Sequence, residues 1–287
     1  MSGALSPLGA HVSAAGGVYE APPRAAAIQA TALQLFTKQA NRWAERACTD
    51  DEGEKFRAAL AATDVGVTVS HDSYLINLAS PDPALRAKSV DSMAAELARC
   101  EALGVDLLVS HPGNYMDERE AGIARNADGV SEALARAPGR TVLCLETTAG
   151  AGTVLGATFE ELAALIARLS AEHQARVGVC LDTCHAYSAG YDLANDYDGV
   201  WARFDGAIGL DRLRVLHLND SKTPFNSRKD RHELIAEGSL GEEPFRRVMT
   251  DPRLAAVPKI LETPKGDDAT VTDTRMVERL RGYERDG

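Results

Sequence analysis

Nine residues of the kinds that hold metal ions stand out by position: His71, His111, Glu146, Asp182, His185, His217, Asp230, His232 and Glu262. Six of them, His71, His111, Glu146, Asp182, His217 and Glu262, each end a short apolar run. His185 follows Asp182 by three residues, and Asp230 and His232 flank Arg231 in a polar stretch. The chain has seven histidines, and five belong to this set, which makes chance placement a poor explanation. A catalytic zinc takes three protein ligands and a water, so nine candidates imply two or three ions. Imidazole mixed with carboxylate suits zinc, manganese or iron better than the all-oxygen shells of magnesium and calcium. Closely spaced cations suit hydrolysis of a phosphate diester, one activating water while its neighbours hold the phosphate oxygens and the departing alkoxide.

Such residues need elements that bring them together. Eight apolar runs recur along the chain: Leu8 to His11, Ala32 to Phe36, Val65 to His71, Val105 to His111, Thr141 to Glu146, Val177 to Asp182, Leu213 to His217 and Val257 to Glu262. Several are near-continuous in Val, Leu, Ile and Cys, as strands buried on both faces are. Between them the period turns helical. Pro83 to Leu103 carries Leu85, Val90, Met93, Leu97 and Cys100 at helical spacing before a stop at Gly104, and Thr158 to Leu169 behaves alike. Eight strand-helix units predict a (β/α)₈ TIM barrel, α/β in class, with the metal site at the C-terminal ends of the strands. A doubly wound open sheet is the alternative. No linker or composition shift divides the chain, so residues 1–287 read as one domain. Asn219 to Gly241 lacks apolar periodicity and reads as a long functional loop.

Composition bounds the remaining choices. The chain is 45% hydrophobic with a formal net charge of −11, which excludes disordered and fibrous classes. No run approaches the roughly 18 apolar residues of a membrane span, and Met1 to Ala4 lacks a signal peptide's charged and apolar regions. A cytoplasmic protein without membrane contact, and a monomer, is expected. Cys48, Cys100, Cys144, Cys180 and Cys184 are odd in number and lack a CxxC pair, which argues for reduced packing residues, Cys184 included. The acidic balance speaks against nucleic acid, yet bound divalent cations can reverse the sign of a pocket.

An ordered series of segments then resembles one family: Gly9 to Gly17, His71 to Leu78, His111-Pro112-Gly113, Leu145 to Gly150, Cys180 to Tyr187, Ala189 to Asp192, His217 to Lys222, Asp230 to Glu233 and Leu261 to Pro264. The family is the endonuclease IV type of apurinic/apyrimidinic endonuclease (AP endonuclease family 2), and the match runs nearly end to end. The resemblance implies three zinc ions, with manganese or iron as an alternative at one site. One would lie on His71, His111 and Glu146, a second on Glu146, Asp182, His217 and Glu262, and a third on His185, Asp230 and His232. It further implies a DNA-repair hydrolysis of the phosphodiester 5′ to an abasic site in double-stranded DNA. The products would be a 3′-hydroxyl and a 5′-deoxyribose phosphate, with cleaning of blocked 3′ ends as a second activity. Glu262, beside the nucleophile, would orient it or take its proton, and bridging Glu146 is the other catalytic residue.

The DNA contacts follow from the same resemblance. Tyr74 and Leu75 match the family's wedge, against the plainer reading that Tyr74-Leu75-Ile76 starts a buried helix. The family's Lys-Asn-x-Arg-x-Trp is altered here: aligned on Lys38 and Trp43, Asn41 takes the Arg position, and Arg42 is the neighbouring substitute. Ala236 replaces a usual Gly. Lys38, Lys222, Arg228, Lys229 and Arg231 are the expected phosphate contacts, and His11 is expected to hydrogen-bond near the site. Two rivals remain, a metal-dependent sugar isomerase of the same barrel class and a non-catalytic DNA-damage binder.

Overall fold

Each of the eight apolar runs forms a strand, and all eight pair in parallel into one closed barrel. The computed structural model describes residues 5–43 and 46–286; the reading of Met1 to Ala4 lies outside them. The strands are β1 (Leu8–His11), β2 (Ala32–Leu35), β3 (Val67–His71), β4 (Leu107–Ser110), β5 (Val142–Glu146), β6 (Val177–Asp182) and β7 (Leu213–Leu218). After a two-strand antiparallel ladder, β8 (Asp220–Ser221) with β9 (His232–Glu233), the barrel closes through β10 (Lys259–Leu261). Around the barrel the order is β1-β10-β7-β6-β5-β4-β3-β2, which excludes the open sheet. Among the described residues no helix is long and apolar enough to cross a membrane.

Helices cover the outside because their sequences cap and stripe them. Pro83–Leu103 begins where the Asp82 carboxylate accepts from the Ala84 amide at 2.8 Å and ends at Gly104, whose φ of 80° is the left-handed stop. Its buried stripe of Val90, Met93, Leu97, Cys100 and Leu103 packs on the barrel, each large side chain contributing about 1.5–3 kcal/mol. Thr158 caps Phe159–Ala167 through the Glu161 amide.

Inside the barrel a second, separate apolar cluster comprises Ala32, Val69, Val109, Cys144, Cys180, Val215 and Ile260. Side chains alternate across a strand, so the residue two positions further on points inward again, one step nearer the C-terminal end. Those residues are Gln34, His71, His111, Glu146, Asp182, His217 and Glu262, and Gly9 leads in the same way to His11. Gly9 is needed for approach: a Cβ there would lie 1.7 Å from the Ala32 carbonyl oxygen.

Candidate metal centre

Among the described residues five groups of potential ligand atoms each lie within 4.8 Å, and three of them consist of the sequence candidates alone: His71, His111 and Glu146; Glu146, Asp182, His217 and Glu262; and His185, Asp230 and His232, the other two bringing in Cys180 and Cys184. Glu146 joins the first two. Its Oε2 is 3.2 Å from His71 Nε2 and 3.0 Å from His111 Nε2, whereas Oε1 is 2.9 Å from His217 Nδ1. Asp182 leans toward the third, with Oδ2 3.5 Å from His232 Nε2.

What orients the imidazoles decides what they can bind. His71 Nδ1 lies 3.0 Å from the Asp72 carbonyl, His185 Nδ1 2.9 Å from the Thr147 carbonyl and His232 Nδ1 3.1 Å from the Glu262 carbonyl. A carbonyl only accepts, so each neutral ring carries its proton on Nδ1 and turns a bare Nε2 inward. That lone pair meets carboxylate oxygens: His232 Nε2 is buried 3.2 Å from Asp230 Oδ1 with, among the described residues, no hydrogen bond to satisfy it. Lone pair against carboxylate is repulsive unless a proton or a cation stands between them. Where only protons are available, burial opposes imidazolium but the carboxylates outweigh it. Glu146 pushes His71 up to about 10, and Asp182 with Asp230 pushes His232 to about 9. His185 and His217 rise as well. In return the histidines, against burial, hold Glu146, Asp230 and Glu262 below the usual carboxylate range. Four carboxylates and five inward imidazoles make a donor set that fits zinc. The Cys184 sulfur also lies near Asp182 and His232, but burial pushes its thiol up to about 11, which keeps it a neutral packing group.

The third cluster is built by the long segment after β7. The β8–β9 ladder sets Ser221 opposite His232. Buried Asp220 fixes the return of the chain by accepting from the Ser221, Gly238 and Leu240 amides at 2.7–2.9 Å. Asn219 donates to Asp182 Oδ2 at 2.6 Å and accepts from the Glu262 amide at 3.0 Å. Neither was anticipated; an Asn and an Asp in a polar loop carry no periodicity. Gln34, also unanticipated, touches His217, Glu262 and His11. His11 serves as a hydrogen-bonding neighbour, and burial lowers its pKa.

Comparison with known proteins identifies the family that carries this barrel. A family described as xylose isomerase-like TIM barrel matches residues 23–280. A protein named probable endonuclease 4 from Halorhodospira halophila is 47% identical over 283 residues, 96% of this chain and 93% of its own. One of the same name from Geobacter sulfurreducens is 48% identical over 265 residues, 91% and 89%. The crystal structure of endonuclease IV from Thermus thermophilus superposes with a TM-score of 0.87 at 41% identity, covering 98% of this chain and 100% of that one. The chain belongs to the endonuclease IV family. A D-tagatose 3-epimerase-like protein, at 16% identity and a TM-score of 0.71 over 97% and 98% of the two chains, shares the barrel fold.

On this endonuclease IV barrel the remaining sequence-derived candidates occupy the rim. Tyr74 is 65% exposed, lies edge-on to Phe36 with ring centroids 5.5 Å apart, and is 5.8 Å from the His71 ring. The plainer reading of a helix start fails: Tyr74-Leu75 is a turn, Leu75 is half-buried, and only Ile76 is fully inside. Asn41 and Arg42 are exposed, and Arg42 lines a cavity of about 620 Å³ with Gly16, Gly17, Phe36 and Lys38. Lys38 corrects an expectation, because it is turned inward. With its side chain 8% exposed, its Nζ donates to the Arg42 carbonyl at 2.9 Å and Ser92 Oγ at 3.3 Å, and lies 3.9 Å from Glu96. It fastens its own loop instead of reaching outward. Lys222, Arg228, Lys229 and Arg231 are exposed, and Lys222 is placed beside Arg231 by an amide-to-carbonyl bond of 2.9 Å.

Proposed function

We propose that this endonuclease hydrolyses the phosphodiester 5′ to an abasic site in double-stranded DNA, leaving a 3′-hydroxyl and a 5′-deoxyribose phosphate, with three zinc ions in the three clusters. The observation that carries it is the set of three adjoining donor clusters whose imidazole lone pairs and carboxylates face one another across spaces that only protons or cations can reconcile. Bound there, zinc supplies Lewis-acid charge that acidifies water and stabilises the departing 3′-oxygen.

The chain's own residues do the rest. His71, His111 and Glu146 would hold one ion, Glu146, Asp182, His217 and Glu262 a second, and His185, Asp230 and His232 a third. Glu262, half-buried and reaching into the cluster from the end of β10, orients the attacking water and accepts its proton. Tyr74 and Leu75, turned out from the rim beside His71, fill the gap an extruded abasic sugar leaves in the duplex. Arg42 reaches the duplex from the β2 loop, while Lys222, Arg228, Lys229 and Arg231 neutralise phosphates. The acidic chain thus meets DNA through local cations. Blocked 3′ ends present the same diester chemistry and fall within reach of the same site.

The test is incubation with a duplex carrying one tetrahydrofuran abasic analogue, with and without prolonged zinc chelation, followed by end-group analysis. This analogue cannot undergo β-elimination, so cutting reports hydrolysis. The expected result is 5′ incision leaving a 3′-hydroxyl, lost on chelation and restored by zinc. Intact DNA with metal-loaded protein would overturn the reading in favour of the sugar isomerase or the binding-only barrel.

A further inference from the structure

We propose that Gln34 is a positioning residue of the central cluster: its side-chain amide makes Nδ1 the ligand atom of His217 and aims the Glu262 carboxylate. The inference rests on the metal-dependent reading above. Gln34 is completely buried in β2, a strand otherwise made of Ala32, Leu33 and Leu35. An uncompensated amide at that depth would cost several kcal/mol, but each end of this one has a partner. Nε2 donates to Glu262 Oε1 at 2.6 Å and lies 2.9 Å from His11 Nδ1, and Oε1 lies 2.8 Å from His217 Nε2.

Only one hydrogen-bond arrangement satisfies all three partners. An ionised carboxylate only accepts, so the NH₂ end must face Glu262, and its second hydrogen is answered by His11 Nδ1. The carbonyl end then faces His217 and can be met only by a proton on Nε2. That leaves His217 Nδ1 bare, 2.9 Å from Glu146 Oε1 and 3.2 Å from Glu262 Oε2. Turning the amide over would set its oxygen against the carboxylate and its N–H groups against the Nε2 proton of His217.

The contrast with the other rings gives Gln34 its role. His71, His185 and His232 are oriented through Nδ1 by backbone carbonyls and present Nε2. His217 is the reverse, oriented through Nε2 by a side chain and presenting Nδ1. A backbone carbonyl survives any substitution, whereas this orientation depends on one residue. Gln34 also occupies the inward position two residues beyond Ala32, in the same ring as the strand-end ligands. It stands as an outer partner that fixes two ligands of one cluster at once.

The experiment compares the full-length wild type with Gln34→Leu, which keeps approximate volume and removes both ends of the amide. Zinc affinity is read by competition against graded chelator, and the His217 ring protons by ¹⁵N-resolved NMR of the zinc-loaded protein. The expected result is that one zinc of the set weakens about 10- to 100-fold while the others hold, and that the protected Nε2–H signal of His217 is lost. Gln34→Glu separates the two tasks and serves if the Leu variant does not fold. It retains an acceptor for His217, so the Nε2–H signal persists, but it sets a second carboxyl group against Glu262, the two sharing one proton where the amide supplied a neutral donor, and incision of the abasic duplex falls roughly tenfold. Zinc affinities within twofold of wild type and an unchanged His217 signal in Gln34→Leu, or full incision by Gln34→Glu, would overturn the role of Gln34 alone. A wild type that binds no zinc or leaves the duplex intact would instead overturn the reading beneath it.

Discussion

The two ends of the barrel bury charge in opposite ways. At the N-terminal end, cations meet the backbone: Arg176 donates to the Ala137 carbonyl at 2.9 Å, Arg212 to the Gln174 carbonyl at 3.1 Å, and fully buried Lys259 to the Leu254 and Val257 carbonyls at 2.7 and 3.1 Å. The Asp106 carboxylate accepts from the Thr68 amide and hydroxyl at 2.9 and 2.8 Å. Nearly every donor named there has an acceptor supplied by the protein, the buried Arg176 Nε being the exception. At the C-terminal end, carboxylates face imidazole lone pairs, acceptor against acceptor. One end is complementary to itself and the other to something that must arrive from solution. In a barrel that difference separates the face that stabilises from the face that acts.

Removing the hub of the active end tests this most severely. Glu146→Ala takes a ligand from two clusters together, so incision of the abasic duplex should fall by more than about 10³-fold, beyond the 10²–10³ typical of losing one electrostatic stabiliser. Bound zinc should fall in parallel by elemental analysis, while circular dichroism retains the barrel, because the lost carboxylate sat among groups awaiting a cation. Collapse of the fold would place Glu146 in the scaffold and break the contrast between the ends.

A smaller effect should appear in stability against pH, with opposite signs at the two ends. In zinc-stripped protein His71 and His232 titrate at about 10 and about 9 instead of 6.5. The folded state holds those protons longer than the unfolded chain, so their stabilisation is complete below pH 6.5 and is lost as pH rises through 9–10. Lys259 runs the other way. Burial lowers it from 10.5 to about 8, so between those values the unfolded chain binds the extra proton and stability rises with pH, by up to about 3 kcal/mol. Zinc, by replacing protons on the imidazoles, should silence the first slope and expose the second. Thermal unfolding of zinc-loaded wild type from pH 7 to 10.5 should show the rise. Lys259→Met should abolish it with incision and zinc content unchanged, and a rise that persists in that variant would remove Lys259 as its source.

The same contrast explains what could be read from residue order. The strands were legible because both faces are buried and the runs are apolar throughout. Six candidate ligands were legible because they continue the inward alternation to the end of a run, as Cys144 leads to Glu146 and Val215 to His217. Gln34 obeys the same alternation but was absorbed into the run Ala32 to Phe36, and glutamine is not a residue read as a ligand. Lys38 was misplaced outward because what turns it inward, Glu96 and Ser92, comes from a helix far along the chain. The β8–β9 ladder is too short to show any period, and Asp220, which shapes it, acts through backbone amides that no side-chain pattern reveals.

Strain is distributed as unevenly as charge. Five described residues other than glycine have positive φ, and Met116, Asn226, Arg228 and Ala236 lie in loops of the C-terminal face, leaving Gln29 at the opposite end. Ala236 is the third residue of a turn closed by the Glu237 amide on the Leu234 carbonyl at 3.0 Å, with φ of 62°, a position that favours glycine. An L-residue there costs about 1–2 kcal/mol, whereas glycine forfeits about 0.4–1 kcal/mol by loosening the unfolded chain. Ala236→Gly should therefore stabilise the protein by about 0.5–1 kcal/mol in denaturant unfolding, with incision unchanged because no ligand moves. The methyl group packs against the core, so a loss of stability would mean that packing outweighs the backbone strain. The turn would then be held by the body of the barrel, and strain at this face would be offset locally at Ala236.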